Sequence, residues 1–242
     1  AGGATMLAMR SFHGQGIVIT GAASGIGEAL AHTLAARGAR LLLADVHAER
    51  LDAVVAALRA TGADCRAQVC DVADRAPVLA LADTAQQAWG GAHGVVNNAG
   101  VGLVAPVHNL SMPDAHWLMN INFWGVVHGC QAFMPQLQAR ARRQEDTVIV
   151  NISSIFAMVS MPTQSIYNAS KAAVRGFSDA LREELRDSGV RVLCVHPGGI
   201  QTRICQEARL GDISAVADTP QALHAQFDQA ARTTAPQAAQ AI

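Results

Sequence analysis

The chain has 242 residues, half of them apolar, with a formal net charge of −1 and a pI near 6.8. That length can bury one sizeable core, and with no linker, charge run or repeat to divide it, a single domain is expected. The near-neutral charge and scattered arginines exclude the electrostatic footprint of a nucleic-acid binder and leave a small molecule as the partner.

The opening AGGATMLAMR has one Arg and an apolar run too short for a signal peptide. The opening residues read as a remnant ahead of a native start at Met6 or Met9; residues 1–13 stand as an extension outside the fold, and 14–242 read as the folded domain. No segment reaches the roughly 18 apolar residues of a membrane span, so a cytoplasmic protein is expected. The cysteines at 65, 70, 130, 194 and 205 form no C-x-x-C pair and fit neither a disulfide framework nor a zinc site. They read as reduced, mostly buried thiols. Nine scattered histidines lack metal-ligand spacing, which argues against a zinc-dependent alcohol dehydrogenase; no metal is expected.

From Gly14 two kinds of segment alternate. GIVIT (16–20), RLLLAD (40–45), CRAQVCD (65–71), GVVNN (94–98), TVIVNIS (147–153) and VRVLCVH (190–196) read as strands. Stretches 25–37, 47–61, 74–89, 113–138 and 163–188 carry apolar residues at helical spacing. The alternation predicts βαβ units, hence an α/β, doubly wound parallel sheet with helices on both faces, the Rossmann arrangement. Near-continuous apolar strands agree, because parallel strands are buried on both sides.

The first strand runs into TGAASGIG, Thr20 to Gly27, and then a helix. Gly21, Gly25 and Gly27 let the backbone turn sharply, approach a pyrophosphate and pack the helix on the sheet, with the helix N-terminus facing the anion. An ordinary tight βα connection would have the same glycines. Asp45, closing the second strand, weighs against that, because its carboxylate can accept hydrogen bonds from an adenosine ribose, although alone it could simply cap the next helix. The same carboxylate would repel a 2′-phosphate, and neither Ser24 nor Val46 supplies a basic group, so NAD is expected over NADP.

The stretch YNASK holds the chain's only tyrosine, Tyr167, and its only lysine, Lys171; the other seventeen basic residues are arginine. On the helix expected over 163–188, with Ile166, Ala169, Ala173, Val174, Phe177, Leu181 and Leu185 apolar and Gly189 as its stop, residues i and i+4 share a face. An ammonium beside a phenol stabilises the phenolate and can lower its pKa by about 1–3 units, making a general base near neutral pH. The alternative is a surface tyrosine and a solvated lysine one turn apart. Arginine, fixed in charge and forked, cannot replace an ammonium that must fit a narrow site.

With these residues the chain resembles the short-chain dehydrogenase/reductase family, in the subgroup with TGxxxGIG and YxxxK motifs. The resemblance runs from Gly14 to about Thr202 through TGAASGIG (20–27), CDV (70–72), NNAG (97–100), Asn122 in NINFWG, Ser154 in NISS, YNASK (167–171) and HPGGIQT (196–202). It implies an NAD(P)-dependent oxidoreductase that interconverts a secondary alcohol and a ketone. Tyr167 would be the acid/base. Lys171 would lower its pKa and bind the nicotinamide ribose, and Ser154, preferred over Ser153 on spacing, would hydrogen-bond the substrate oxygen. Asn122 would fix a relay water, or merely bond a backbone carbonyl from within a long helix; Asn120 does not match the pattern.

By the same resemblance, Gly21, Ser24, Gly25, Ile26 and Gly27 would hold the pyrophosphate and Asp45 the ribose. Asp71 and Val72 would contact the adenine, Asn98, Ala99 and Gly100 would line the cleft, and Pro197, Gly198 and Thr202 would close it, Thr202 on the carboxamide. The NNAG turn could equally serve to steady the sheet. His196 reads as a strand-end residue before Pro197. Substrate would meet Val101 to Val104, Phe156 to Met161, Gln164 and the stretch from Arg203 to about Gln226; Phe156, Met158, Val159 and Met161 suggest an apolar wall or packing beneath a loop. A homodimer or homotetramer is implied. Family members usually finish with a further strand, whereas this chain stops at QAAQAI in an expected last helix, which puts the tetramer in doubt. A module that only senses NAD(H) would not need Ser154, Tyr167 and Lys171, and a non-redox halohydrin lyase-type relative would lose the glycines and the lysine.

Overall fold

A computed structural model describes residues 11–214 and 216–242, so Met6, Met9 and most of the expected extension lie outside the described residues. Each apolar run becomes a strand: β1 (Gly16–Thr20), β2 (Arg40–Asp45), β3 (Cys65–Val69), β4 (Gly94–Asn97), β5 (Thr147–Ile152) and β6 (Val190–Val195). All pair in parallel in the order β3-β2-β1-β4-β5-β6. The helices are α1 (Gly25–Ala36), α2 (Ala48–Ala60), α3 (Arg75–Trp89), α4 (Met112–Met119), α5 (Gly125–Ala141), α6 (Ser165–Glu184), α7 (Pro220–Ala230) and α8 (Ala235–Ala241).

Alternation along the strands divides the core in two. Ile17 and Ile19 join Leu41, Leu43, Leu51 and Leu58 on the α1/α2 side, while Val18 meets Leu42, Val95, Leu81 and Phe133 on the α3/α5/α6 side. Burying each of these large side chains contributes about 1.5–3 kcal/mol. At the N-terminal ends of the strands, buried Arg140 donates to the carbonyls of Gly91 (3.0 Å) and Trp89 (2.6 Å) and pairs with Glu145, and His93 Nδ1 accepts the Gly16 N–H (3.1 Å). The strand order reverses between β1 and β4, and open α/β sheets generally bind ligands outside the C-terminal strand ends at such a point.

Three boundaries differ from expectation. The third strand stops at Val69 because the Asp71 side chain accepts the Ala73 N–H (2.9 Å) and turns the chain. The helix expected over 113–138 is α4, a π-helical turn at Asn120–Trp124, and α5. The 163–188 helix begins at Ser165, since Thr163 holds a left-handed φ of 65°, and ends at Glu184, well before Gly189. On it Ala169 is exposed, and the buried face instead carries Ser170, Lys171 and Ser178. Two short parallel pairs were not foreseen, Leu103–Val104 with Arg209–Leu210 and Ile200–Gln201 with Thr233–Thr234. No helix of the described residues is long and apolar enough to cross a membrane.

Candidate active site

β1 delivers the chain into the glycine turn, where Gly21 (φ +65°) and Gly25 (φ +58°) take left-handed conformations. A Cβ on Gly21 would lie 2.7 Å from the Ala99 Cα, and one on Gly27 would overlap the Gly21 carbonyl oxygen. Ser24 begins α1 without a side-chain capping bond. The first-turn N–H groups therefore lack a side-chain acceptor, beside a cleft of about 610 Å³ whose lining includes Ser24, Gly25, Thr202 and Arg203 and also the carboxylates of Glu28 and Asp228. Uncapped donors at a helix N-terminus bordering open space fit a pyrophosphate. Ile26 instead packs against the core, and Thr202 lies opposite Gly25, its Cγ2 3.1 Å from where a Cβ there would be.

Asp45, buried at the end of β2, accepts the Ala23 N–H on Oδ2 and the His47 N–H on Oδ1, both at 3.0 Å. It braces the glycine turn from the neighbouring strand. A carboxylate offers about four lone-pair sites, so acceptor capacity remains for ribose hydroxyls. The Cys70 N–H donates to the Asp45 carbonyl (3.0 Å), bringing Asp71 and Val72 to the same strand ends; Asp71 is exposed and Val72 is buried beside Gly125.

The NNAG turn is bound to the protein through its side chains. Asn98 Nδ2 donates to the carbonyls of Thr20 (2.9 Å) and Gly21 (3.0 Å), and the Thr20 hydroxyl oxygen accepts the N–H groups of Asn98 (3.1 Å) and Ala99 (3.2 Å). Asn97 donates to Asn151 (2.8 Å), which donates to Ser178 (3.0 Å), a buried polar chain linking β4, β5 and α6. Pro197 accepts the Ile155 N–H on its carbonyl (2.9 Å), and Gly198 borders open space.

Ser154, Tyr167, Lys171 and Asn122 come together at the C-terminal ends of β4 and β5. Ser153 is committed elsewhere, its hydroxyl donating to the Lys171 carbonyl (2.8 Å), whereas the Ser154 hydroxyl lies within hydrogen-bond reach of Tyr167 and accepts the Phe156 N–H (3.2 Å). The Lys171 side chain is 3 % exposed; its Nζ donates to the Ile152 carbonyl (3.0 Å) and sits 5.8 Å from the Tyr167 ring centroid. Gly100 adjoins the Asn122 amide and the lysine: a Cβ there would be 3.3 Å from Asn122 Oδ1 and 3.4 Å from Lys171 Nζ.

Asn122 is fully buried on the π-helical turn. Its amide donates to the Val101 carbonyl (3.0 Å) and Ser170 Oγ (3.3 Å), and Oδ1 accepts the Val101 N–H (2.8 Å). The side chain thus clamps the residue that follows NNAG at both backbone atoms.

The expected lowering of the tyrosine pKa is reversed. Burial pushes the Tyr167 phenol up to about 12, against which a hydrogen bond with Ser154 works, and Lys171 is not among the causes. Burial also pulls the Lys171 ammonium down to about 8, with Cys194 opposing weakly. Chain order alone did not mark Thr20, Ser170 or Asn151 as supports; a polar residue inside an apolar row was the available signal for each. Nor did it mark the pair Arg50–Glu207 (2.6 Å), which ties the 203–207 segment to α2.

The sequence model of the short chain dehydrogenase family matches residues 15–212. The chain belongs to the short-chain dehydrogenase/reductase family. It is 44% identical over 206 residues to a protein of Mycobacterium tuberculosis called oxidoreductase SadH, covering 84% of this chain and 73% of that one. The crystal structure of a family member from Burkholderia phymatum in complex with NAD superposes with a TM-score of 0.85 at 35% identity, over 96% of this chain and 85% of that one. A metagenomic short-chain oxidoreductase in complex with NADP gives a TM-score of 0.73 at 34% identity, over 77% of this chain and 83% of that one. As a member of this family the chain is an NAD(P)-dependent oxidoreductase.

Proposed function

We propose that the enzyme interconverts a secondary alcohol and a ketone, that Tyr167 is its acid/base, and that it prefers NAD to NADP. The observation that carries the reading is the convergence of the chain's only tyrosine and only lysine with Ser154 beside the glycine-turn cleft. The nicotinamide, when bound, supplies the hydride acceptor or donor. Ser154 orients the substrate oxygen and offsets charge that develops on it. Held protonated by burial, the Tyr167 hydroxyl is the acid needed for ketone reduction; in alcohol oxidation it must first release that proton to solvent, and the phenolate, hydrogen-bonded by Ser154, then takes the proton of the substrate hydroxyl. With a pKa of about 8, Lys171 keeps its charge at neutral pH and can hold the nicotinamide ribose hydroxyls. Asn122 keeps Val101, and with it the NNAG turn, at the floor of the site.

The preference for NAD rests on Asp45, whose carboxylate would face a 2′-phosphate, and on Val46 beside it, which is 52 % exposed and carries no charge. Titration of the protein with NADH and NADPH, followed by nicotinamide fluorescence, should give tighter binding of NADH; equal binding would refute the role given to Asp45. Tyr167→Phe should remove turnover by about 10²–10⁴-fold and leave NADH affinity within about threefold. Full turnover in that variant would overturn the acid/base assignment.

A further inference from the structure

We propose that the substrate is an uncharged ketone or secondary alcohol carrying a bulky apolar substituent, seated against Phe156, Met158, Val159 and Met161. This rests on the dehydrogenase reading above and concerns the same site. Two segments of the chain adjoin Ser154 and Tyr167 and a third pairs with the second of them, and each lacks an available charge.

The first is Ile155 to Ile166, which joins the two residues and contains no Asp, Glu, Lys, Arg or His. It leaves Ser154 as a 3-10 turn at Ile155–Ala157, with Phe156 edge-on to the Tyr167 ring (centroids 6.2 Å, 79°). It returns through Thr163, whose carbonyl accepts the Ala105 N–H (2.8 Å) and whose hydroxyl is turned back on the Pro162 carbonyl (2.6 Å). Between these fixed ends Met158, Val159 and Met161 are 50 %, 50 % and 47 % exposed. Three large apolar side chains half in water, next to the residues of the reaction, suit a surface that an apolar ligand covers. Methionine adapts to irregular shapes.

The second segment, Val101 to Val107, is also free of charged residues; its Val101, Leu103 and Ala105 pack with Trp117, Ile166 and the Tyr167 ring. The third, Arg203 to Asp212, does carry charges, and each is engaged. Arg203 pairs with Glu207 (3.0 Å), and Glu207 with Arg50 (2.6 Å). Arg209 pairs with Asp114 (2.5 Å) and stacks on the Trp117 ring (3.8 Å), and Asp212 accepts the Ser214 N–H (3.0 Å). A substrate carboxylate or phosphate would have to break one of these pairs, whereas an alkyl or aryl substituent meets side chains already matched to it.

The test is a substrate series with the holoenzyme, saturated with whichever of NADH and NADPH binds more tightly: 2-butanone to 2-decanone, with pyruvate as a charged ketone and erythrulose as a polyhydroxylated one. kcat/KM should rise by about fourfold for each methylene that the wall can cover, about 250-fold over the four methylenes from 2-butanone to 2-octanone. Pyruvate and erythrulose should fall below the longer alkanones. Paired replacement Met158→Gln with Met161→Gln should flatten the rise to about twofold per methylene, and leucine at both positions should restore it. A flat alkanone series, or preference for pyruvate or erythrulose, overturns the substrate class and leaves the dehydrogenase reading standing. Absence of turnover across the whole series with NADH binding intact overturns both.

Discussion

Under the proposed mechanism Lys171 serves the chemistry at the expense of the fold, and the cost can be measured. The residue is 3 % exposed, its ammonium donates to the Ile152 carbonyl, and burial, which disfavours the charged form, pulls its pKa from 10.5 down to about 8. At about 1.4 kcal/mol per pKa unit, holding the charge in the folded state costs about 3 kcal/mol at pH 7. Lys171→Met keeps the length of the side chain and removes that cost, but it leaves the Ile152 carbonyl without its donor, a loss of about 1 kcal/mol. The variant should therefore be inactive and more stable by about 2 kcal/mol, or about 4–8 °C in Tm for a chain of this length. The sign in pH follows from a folded pKa below the unfolded one. The penalty is fully present below pH 8 and fades up to 10.5, because in that window the folded chain has lost the proton that the unfolded chain still holds. Tyr167 acts in the opposite sense, but only above its unfolded value of 10. Urea melts of both proteins at pH 7, 8, 9 and 10 should thus converge as pH rises. A variant less stable than the parent at pH 7, or a gap constant from pH 7 to 10, would refute the reasoning.

Two further substitutions probe the scaffold around the site. Asn151→Ala removes the acceptor of Asn97 (2.8 Å) and the donor to Ser178 (3.0 Å), leaving the buried Asn97 amide only the Cys130 sulfur (3.5 Å) and the Ser178 hydroxyl only the Val174 carbonyl (2.7 Å), and should cost about 1–3 kcal/mol in urea melts; an unchanged midpoint would show that this chain does not hold β4, β5 and α6 together. Glu207→Gln releases Arg50 and Arg203 from a partly exposed pair, so stability should change by less than about 1 kcal/mol. Stopped-flow displacement of NADH from the same variant should nevertheless be several-fold faster, since Arg203 and Gln206 wall the cleft; an unaltered off-rate would mean that the 203–207 segment does not gate it.

The sheet was legible because its strands are short β-branched and aliphatic runs between helices with clear apolar spacing, and five of the six expected strands end within a residue of the observed ones. What was missed depends on contacts between distant parts of the chain. The π-helical turn adds one residue to a helical circuit, which apolar periodicity cannot register, and it places Asn122 where its amide reaches Val101. Thr163 adopts a left-handed φ that its residue type does not announce, in a segment whose carbonyl is held by Ala105. The two-residue strand pairs are too short to carry a pattern. The residues proposed as catalytic were picked out by type and spacing and lie together, but the protonation of Tyr167 was not legible, since i and i+4 spacing supplies a neighbouring charge and says nothing of how deeply both groups are buried.

The hydrogen-bond inventory of the cleft separates what supports the fold from what remains for a ligand. Asn98 has two amide donors and spends both, on the carbonyls of Thr20 and Gly21. Its side chain therefore fixes the shape of the glycine turn and retains only an acceptor. The Thr20 hydroxyl is likewise used, accepting two N–H groups from the NNAG turn. Asp45 differs, because two N–H bonds to a carboxylate leave about two acceptor sites, and what remains is negative. α1 differs in the other direction, with first-turn donors that no side chain caps. One end of the cleft thus offers spare acceptors and the other spare donors, the pairing that a ribose diol followed by a pyrophosphate requires. Under the proposed cofactor preference, substitutions at Asn98 or Thr20 should act on NAD and NADP alike through the geometry of the turn, and those at Asp45 on the difference between the two.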